Sequence, residues 1–248
     1  MNFRLILMIW AIVPLFIFAD SKADQLLLKV ASRLDGMDRS LIVESNIVKK
    51  GKVRKTQNLK ISIYWPENEV LDKMTLIEFI KPKRKSGVKY WEHFQKKKNN
   101  IKKWITMPVT GKLKDISKKK AKTDDFDFSD LQLSSKIISN HINTIIQNNE
   151  TNIKNEIIVE SISKKNNYKK LIYIDNELFV INKVETFNSK NKILKSIMCN
   201  QFETIDDFKI ATKIKINDFK KKHIVNIEIK NFQFTTFSNI SIFTPVGN

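Results

Sequence analysis

Few side chains in this sequence have the type and spacing that catalysis needs. The three histidines, His93, His141 and His223, lie far apart, and Cys199 is the only cysteine. The sequence holds no G-x-S-x-G nucleophile motif, no Walker loop, no H-E-x-x-H and no C-x-x-C. A single cysteine also excludes a disulfide framework and a metal site made of four thiolates. We therefore predict a protein that is not an enzyme and uses no cofactor.

One acidic stretch invites a calcium-site interpretation. It holds Asp124, Asp125, Asp127 and Asp130. The glycine at the sixth loop position and the closing glutamate of an EF-hand are missing from it. Side-chain turns within a loop are the simpler interpretation, so no metal site is predicted.

The chain is strongly basic, but the small share of arginine among its cations does not favour a nucleic-acid partner. The 248 residues include 45 Lys+Arg against 26 Asp+Glu, a formal charge of +19, and only five of the cations are Arg. Recognition of phosphates and bases favours the arginine fork, so we predict no nucleic-acid partner. The lysine runs at 81–85, 96–98, 118–120 and 220–222 leave two interpretations open. They are either a transient contact with anionic lipid head groups or solvated strand ends and turns.

The first 23 residues have the pattern of a secretory signal peptide. Arg4 precedes an apolar run over 5–19, which is short for a membrane span. Small residues at Ser21 and Ala23 predict cleavage after Ala23, with cleavage after Ala19 as the alternative. An uncleaved anchor is the remaining interpretation. The sequence thus predicts an exported chain whose mature part, residues 24–248, forms a single domain.

The mature part predicts a mainly β fold with a few helices. Apolar spacing predicts an amphipathic helix over 24–34, which stops at Gly36. Alternation with a period of two then predicts about ten strands. The clearest strand candidates are 58–65, 71–80, 88–94, 102–107, 170–174, 178–187, 193–202, 208–216 and 223–234. A short helical turn at 124–131 and a helix at 134–147 interrupt them. The strand spacing favours one antiparallel sheet that is strongly curved or rolled into a barrel.

Aromatic residues are numerous enough to suggest a cavity. The chain has 16 Phe and four Trp, most of them on predicted strands. A curved sheet closed by a helix can enclose more apolar surface than its side chains fill, which leaves space for a ligand. An ordinary filled core explains the same residues equally well, and both interpretations stay open.

Several short motifs follow one another between residue 79 and the end of the sequence. A Phe-x-x-Pro segment at 79–82 is followed by Ser86-Gly87, and an aromatic residue then precedes Pro108. An acidic and aromatic box follows at 123–131, and Phe-Thr-Pro occurs at 243–245. In this order the motifs resemble those of the LolA-like periplasmic proteins that sort outer-membrane lipoproteins. The most recognisable element of that family is a Gly-Ser-Asp-Phe-Ser-Tyr-Glu-Asp-Leu-like box, which Asp125, Phe126, Asp130 and Leu131 match, and residues 243–245 resemble its Phe-Thr-Pro tail.

The resemblance implies an open, strongly curved antiparallel half-barrel covered by helices. It also implies a periplasmic carrier that holds the acyl chains of lipoproteins or other lipids in a hydrophobic cavity. An inner-membrane transporter and an outer-membrane acceptor are the protein partners that such transport implies. The predicted cavity residues are Trp65, Phe79, Trp91, Trp104, Phe128, Ile142, Phe202, Ile214 and Phe234. The alternative is a structural or interaction protein of the periplasm whose barrel is filled and holds no ligand.

Overall fold

Helix α1 opens the part of the chain that the computed structural model describes, which is residues 21–67, 71–95, 100–107, 109–118, 133–146 and 155–246. The helix spans Ser21–Ser32 and buries Ala23, Leu26, Leu27 and Val30. These positions follow the i, i+3, i+4, i+7 spacing of one helical face. The chain then turns at Gly36, whose φ of 78° is a left-handed conformation that glycine adopts without strain.

Thirteen strands follow in the described residues. Their bounds are β1 Arg39–Lys49, β2 Lys52–Tyr64, β3 Lys73–Lys81, β4 Lys89–Gln95, β5 Asn100–Thr106, β6 Leu113–Asp115, β7 His141–Ile146, β8 Glu156–Ser163, β9 Lys169–Asp175, β10 Val180–Phe187, β11 Ile193–Ile205, β12 Phe208–Asp218 and β13 His223–Phe234. Helix α2 spans Ser135–Ser139, and 3₁₀ helices span Lys83–Lys85 and Ile240–Phe243.

All these strands form one antiparallel sheet. Its order is β6-β5-β4-β3-β2-β1-β13-β12-β11-β10-β9-β8-β7, so the sheet is open and its two edges are β6 and β7. The prediction of a mainly β chain with an open antiparallel sheet and a few helices is confirmed. Right-handed strand twist accumulates over so many strands, and a sheet of this width curls.

Hairpin turns set the register between neighbouring strands. Lys49 pairs with Lys52, which leaves Lys50 and Gly51 as a two-residue turn. Both have positive φ, at 52° and 72°. Two successive positive values match the twist of the flanking strands, which makes this turn a good hairpin connection.

The main core lies on one face of the sheet, which we call the inner face. The buried side chains of α1 belong to this core together with Val43, Leu59, Val159 and Ile216. A smaller cluster lies on the opposite, outer face, around Leu76, Trp91 and Phe243. Among the described residues, no helix is both long enough and apolar enough to span a bilayer.

The predicted helix over 134–147 is wrong. The chain forms only the short helix α2 there and then continues as β7, which pairs with β8 from Ile146 to His141. Ser134 caps α2 by accepting a hydrogen bond from the backbone N–H of Ile137. The β-branched isoleucines of this segment favour a strand, and pairing with β8 overrides their helix-like spacing.

Three further strands, the three-residue β6 and the longer β1 and β8, are not among the predicted ones. Apolar residues cluster at 41–43 in β1 and at 157–159 in β8 instead of alternating with polar residues. A continuous apolar run hides the period of two on which the strand prediction rests. The proposed helical turn at 124–131 and the signal segment 1–20 lie outside the described residues.

Candidate functional site

A continuous belt of aliphatic side chains crosses the inner face. Each member pairs in register with the next across eight neighbouring strands, and α1 packs into the same cluster. The belt consists of Ile145, Val159, Ile172, Val184, Ile197, Ile216, Val225 and Ile47. This part of the inner face is a filled core.

Helix α1 is fixed toward the β7–β12 side of the sheet. The Asn143 side-chain amide on β7 donates to Asp24 Oδ1 at 2.7 Å, and Arg33 donates to the carbonyl of Lys209 at 2.8 Å. The ammonium of Lys29 lies 5.3 Å from the ring centre of Phe179. These contacts direct the helix away from the β3–β5 side of the inner face.

The inner face on β2–β5 carries what we call the apolar strip, formed by Ile61, Ile77, Phe79, Tyr90 and Ile105. Ile61 pairs with Ile77, Ile77 with Tyr90, and Tyr90 with Ile105. All five side chains are half-buried, whereas every belt residue except Ile145 is buried. The strip is therefore an apolar surface that the described residues cover only in part.

Charged side chains border the apolar strip on the same face. Lys103 Nζ lies 2.6 Å from Glu92 Oε1, and the Tyr90 hydroxyl also donates to that carboxylate. Burial lowers the pKa of Lys73, and the nearby Asp35 carboxylate acts in the opposite direction. Burial likewise raises the pKa of Asp35. The strip thus ends at a polar border of partly desolvated charges.

A pocket of about 800 Å³ opens at this end of the sheet. Aromatic residues form much of its wall, namely Tyr64, Trp65, Phe208, Phe234 and Phe237. The rings of Phe208 and Phe234 are 5.4 Å apart in an edge contact. The buried indole nitrogen of Trp65 has no hydrogen-bond partner among the described residues. Such a donor is costly to leave unpaired.

The predicted cavity residues fall in different places. Phe79 lies in the apolar strip, and Ile214 is buried in the main core. Trp65 and Phe234 line the aromatic pocket described above. Phe202 pairs with Ala211 after an irregularity of register in β11, and it belongs to neither group.

Three of the predicted cavity residues lie on the outer face. Ile142 pairs with Ile162, one position out of phase with the inner belt. Trp91 pairs with Trp104, and both pack in the outer cluster. The Trp91 indole N–H donates to the carbonyl of Ile242 at 3.0 Å, so this ring is held by the chain's own tail. The apolar surface of these residues faces away from the strip.

The remaining predicted residues cannot be placed. Phe128 and the family-box residues Asp125, Phe126, Asp130 and Leu131 lie outside the described residues. Of the strip residues, only Phe79 is among the predicted cavity residues. Ile61 and Ile77 share its alternating pattern, and that pattern is the signal that could have identified them.

Metal chemistry finds no support in the described residues. No group of three or more His, Cys, Asp or Glu side chains in that part of the chain is arranged to hold an ion. The His141 ring nitrogen Nδ1 instead lies 2.7 Å from the carbonyl of Ile137. Cys199 is a free thiol on the inner face, paired in register with Ile214.

The family of the chain follows from a match over most of its length. Residues 71–246 match a family model described as "Uncharacterized protein", and the chain belongs to that family. No curated protein matches the sequence.

Solved structures share the fold at low sequence identity. A DUF1329 family protein from Desulfovibrio piger superposes with a TM-score of 0.74 at 16% identity, covering 90% of this chain and 95% of the other. A putative outer membrane lipoprotein-sorting protein domain from Vibrio parahaemolyticus gives 0.71 at 16% identity, with 90% and 96% covered. A LolA superfamily protein from Nitrosomonas europaea gives 0.62 at 14% identity, with 90% and 97% covered. The resemblance to lipoprotein-sorting proteins is thereby confirmed for the fold.

Proposed function

We propose that this protein is a periplasmic carrier that binds acyl chains of lipoproteins or other lipids on its inner face. The observation that carries the proposal is the apolar strip, in which five half-buried side chains share one face beside a filled core. Removal of an acyl chain from water onto such a surface yields about 0.8 kcal/mol for each buried CH₂ group. Binding of this kind needs no reaction, so the proposal is transport and not catalysis.

The fold of the structural neighbours supports the same proposal. The names of two of them refer to lipoprotein sorting and to the LolA superfamily. A protein with this fold that works on lipoproteins would meet its cargo in the periplasm, after export. An inner-membrane donor and an outer-membrane acceptor are the partners that such transport requires.

Helix α1 supplies a means of opening and closing the site. Its apolar side chains pack into the core next to Leu59, while Phe79 lies partly buried against the same cluster. A movement of α1 away from the sheet would extend the apolar strip into the belt. We propose that α1 acts as a lid over the belt, beside the apolar strip.

The test is uptake of a fluorescent fatty acid by variants of the two faces of β3. Ile77→Asp places a carboxylate within the strip, and we expect a loss of affinity of more than about tenfold because a charge cannot be desolvated beside an acyl chain. Ile80→Asp is the matched control, since Ile80 lies on the outer side of the same strand and is 41% exposed.

A second strip variant separates a loss of binding from a loss of folding. Ile105→Asp makes the same change on β5, and far-UV circular dichroism reports whether each variant keeps its sheet. Equal affinity of both strip variants and the wild type, with folding intact, would contradict an acyl site on this strip.

The second candidate function is that of a structural or interaction protein whose inner face is filled by its own side chains and holds no ligand. The packed belt under α1 favours it, because the side chains of this part of the inner face are buried against one another and against α1. It predicts no fatty-acid uptake by the wild type at all, which separates it from the carrier proposal in the same experiment.

A further inference from the structure

Four hairpin turns lie together at one end of the sheet. The register runs from Phe187–Lys169 through Lys195–Asp218 to Val48–Ile224, so the ends of these strands are level. The backbone N–H of Phe219 donates to the carbonyl of Leu194, which ties two of the turns together. We call the residues 49–54, 164–168, 188–192 and 219–222 the basic rim.

The basic rim carries only positive charge. Its eleven cations are Lys49, Lys50, Lys52, Arg54, Lys164, Lys165, Lys190, Lys192, Lys220, Lys221 and Lys222, and no carboxylate occurs in these four ranges. Each of the eleven residues is exposed. Like charges in neighbouring turns repel one another and so destabilise the folded chain. Solvation of a turn alone does not require cations.

Four described turns at the opposite end of the sheet carry the opposite charge. The turns at 33–38, 65–67, 176–179 and 206–207 hold one cation, Arg33, and six carboxylates. These are Asp35, Asp38, Glu67, Glu177, Asp206 and Asp207. Among these two sets of turns, the cations are therefore concentrated at the rim and the carboxylates at the opposite end.

Exposed apolar side chains stand among the lysines. Val53 is 60% exposed, Phe219 48% and Tyr168 40%, each in a different turn of the rim. Apolar residues in a cationic setting are typical of surfaces that meet the head-group region of a bilayer. Lysine stems can lie along apolar surface while the ammonium group reaches the phosphates.

A pocket in the rim offers room for a head group. It measures about 430 Å³ and lies between the turns at 49–54 and 219–222, with Lys50, Lys222 and Phe219 in its wall. Asp218 also borders it, but its Oδ1 accepts the backbone N–H of Lys221 at 2.7 Å and is held by the turn. Two lysines and a phenylalanine are thus part of the pocket wall.

We infer that the basic rim docks the protein on the surface of an anionic phospholipid bilayer. Only one of the eleven cations is Arg, whereas recognition of nucleic acid favours Arg over Lys. The exposed valine, phenylalanine and tyrosine also fit a bilayer better than a polyanion in water. The inference goes beyond the carrier proposal and stands without it, because docking needs no acyl chain on the inner face.

The test measures sedimentation of the mature protein with vesicles. Vesicles of equal parts phosphatidylglycerol and phosphatidylcholine are compared with vesicles of phosphatidylcholine alone. We expect binding to the anionic vesicles only, and a decrease with added salt. The triple change K50Q/K220Q/K222Q should weaken this binding on the order of 100-fold, since each lysine near an anionic surface contributes.

The matched control removes three charges away from the rim. Lys60, Lys213 and Lys215 are exposed on the outer face, between the two ends of the sheet. K60Q/K213Q/K215Q should keep binding within about threefold of the wild type, because distant charges are screened. Equal losses in the two triple variants would overturn the inference, because binding would then follow net charge alone.

The apolar part of the rim has its own variant. Phe219→Ser should weaken vesicle binding about tenfold by removing the ring that enters the interface. Binding of duplex DNA as tight as binding of the anionic vesicles would overturn the bilayer assignment. Uptake of fluorescent fatty acid by the rim variant should equal that of the wild type, so a failure of docking is distinguishable from a failure of the carrier proposal.

Discussion

The imidazole of His93 on β4 lies 2.8 Å through Nε2 from the backbone carbonyl of Phe243, a residue 150 positions later in the chain. Two further hydrogen bonds run beside it, from Trp91 to Ile242 and from the Thr106 hydroxyl to Val246 at 3.2 Å. These bonds fix the chain's tail on the outer face of β4 and β5. The tail that resembles the family's Phe-Thr-Pro segment is therefore a packed part of the fold.

The contact of His93 predicts that stability falls in mild acid. Burial lowers the pKa of His93, against a smaller opposite effect of the Phe243 carbonyl. The unfolded chain then binds the proton more readily than the folded chain, starting below about pH 6.5. The contribution of neutral His93 is complete above that pH and is lost as the pH falls through the folded pKa.

The variant His93→Gln tests this dependence, because glutamine keeps a donor and does not titrate. We expect the free energy of unfolding in urea to drop between pH 7.5 and pH 5 by less in the variant than in the wild type. Identical drops in both proteins would show that other groups set the acid sensitivity.

The packing of Phe243 predicts a large loss of stability on truncation. The residue is fully buried, and its ring lies 5.4 Å from that of Tyr64 and 4.9 Å from that of Phe237. Phe243→Ala should lower the free energy of unfolding by about 3–5 kcal/mol. Phe219→Ala, on an exposed phenylalanine, should change it by less than about 0.5 kcal/mol. A small effect at both positions would contradict a packed tail.

Burial predicts an unreactive thiol at Cys199. Desolvation raises its pKa to about 11. Since the thiolate is the reactive form, labelling by a disulfide reagent at pH 8 should be far slower in the folded protein than in urea. Absorbance of the released thiol gives both rates. Labelling at the unfolded rate in native buffer would place Cys199 in solvent.

The burial of Ala23 favours Ala19 as the cleavage site. Ala23 is fully buried in α1, so a cut after it would remove a core side chain along with the first turn of the helix. A cut after Ala19 keeps α1 whole, including the contact of Asp24 with Asn143. We expect the protein exported by a bacterial host to have the intact mass of a chain that starts at residue 20. The intact mass of a chain that starts at Asp24 would contradict this expectation.

Alternation predicted which residues share a face, but not which face is inside. It placed strands over 208–216 and 223–234, close to β12 and β13, because each has one buried and one exposed side. The period is the same for both faces of a strand, so Trp91 could not be assigned in advance. Only contact with the tail, 151 positions away, decides that its ring lies on the outer face.

The candidate site was predicted less completely than the fold. Phe79 is the only residue of the apolar strip among the predicted cavity residues, because that prediction rests mainly on aromatic side chains. Alternation groups Ile77 with Phe79 on β3 and gives Ile61 the same period on β2, but only the pairing of the two strands brings all three residues onto one face of the sheet. The charge segregation of the rim likewise arises when turns from distant parts of the chain meet.

The most direct test of the carrier proposal is native mass spectrometry of the mature protein, purified without detergent from an exporting host and then extracted with solvent. The proposal predicts an added mass that extracts as fatty acid, phospholipid or acylated peptide. A bare protein mass, together with no uptake of a fluorescent fatty acid, would contradict the proposal. It would favour a structural or interaction protein that holds no ligand.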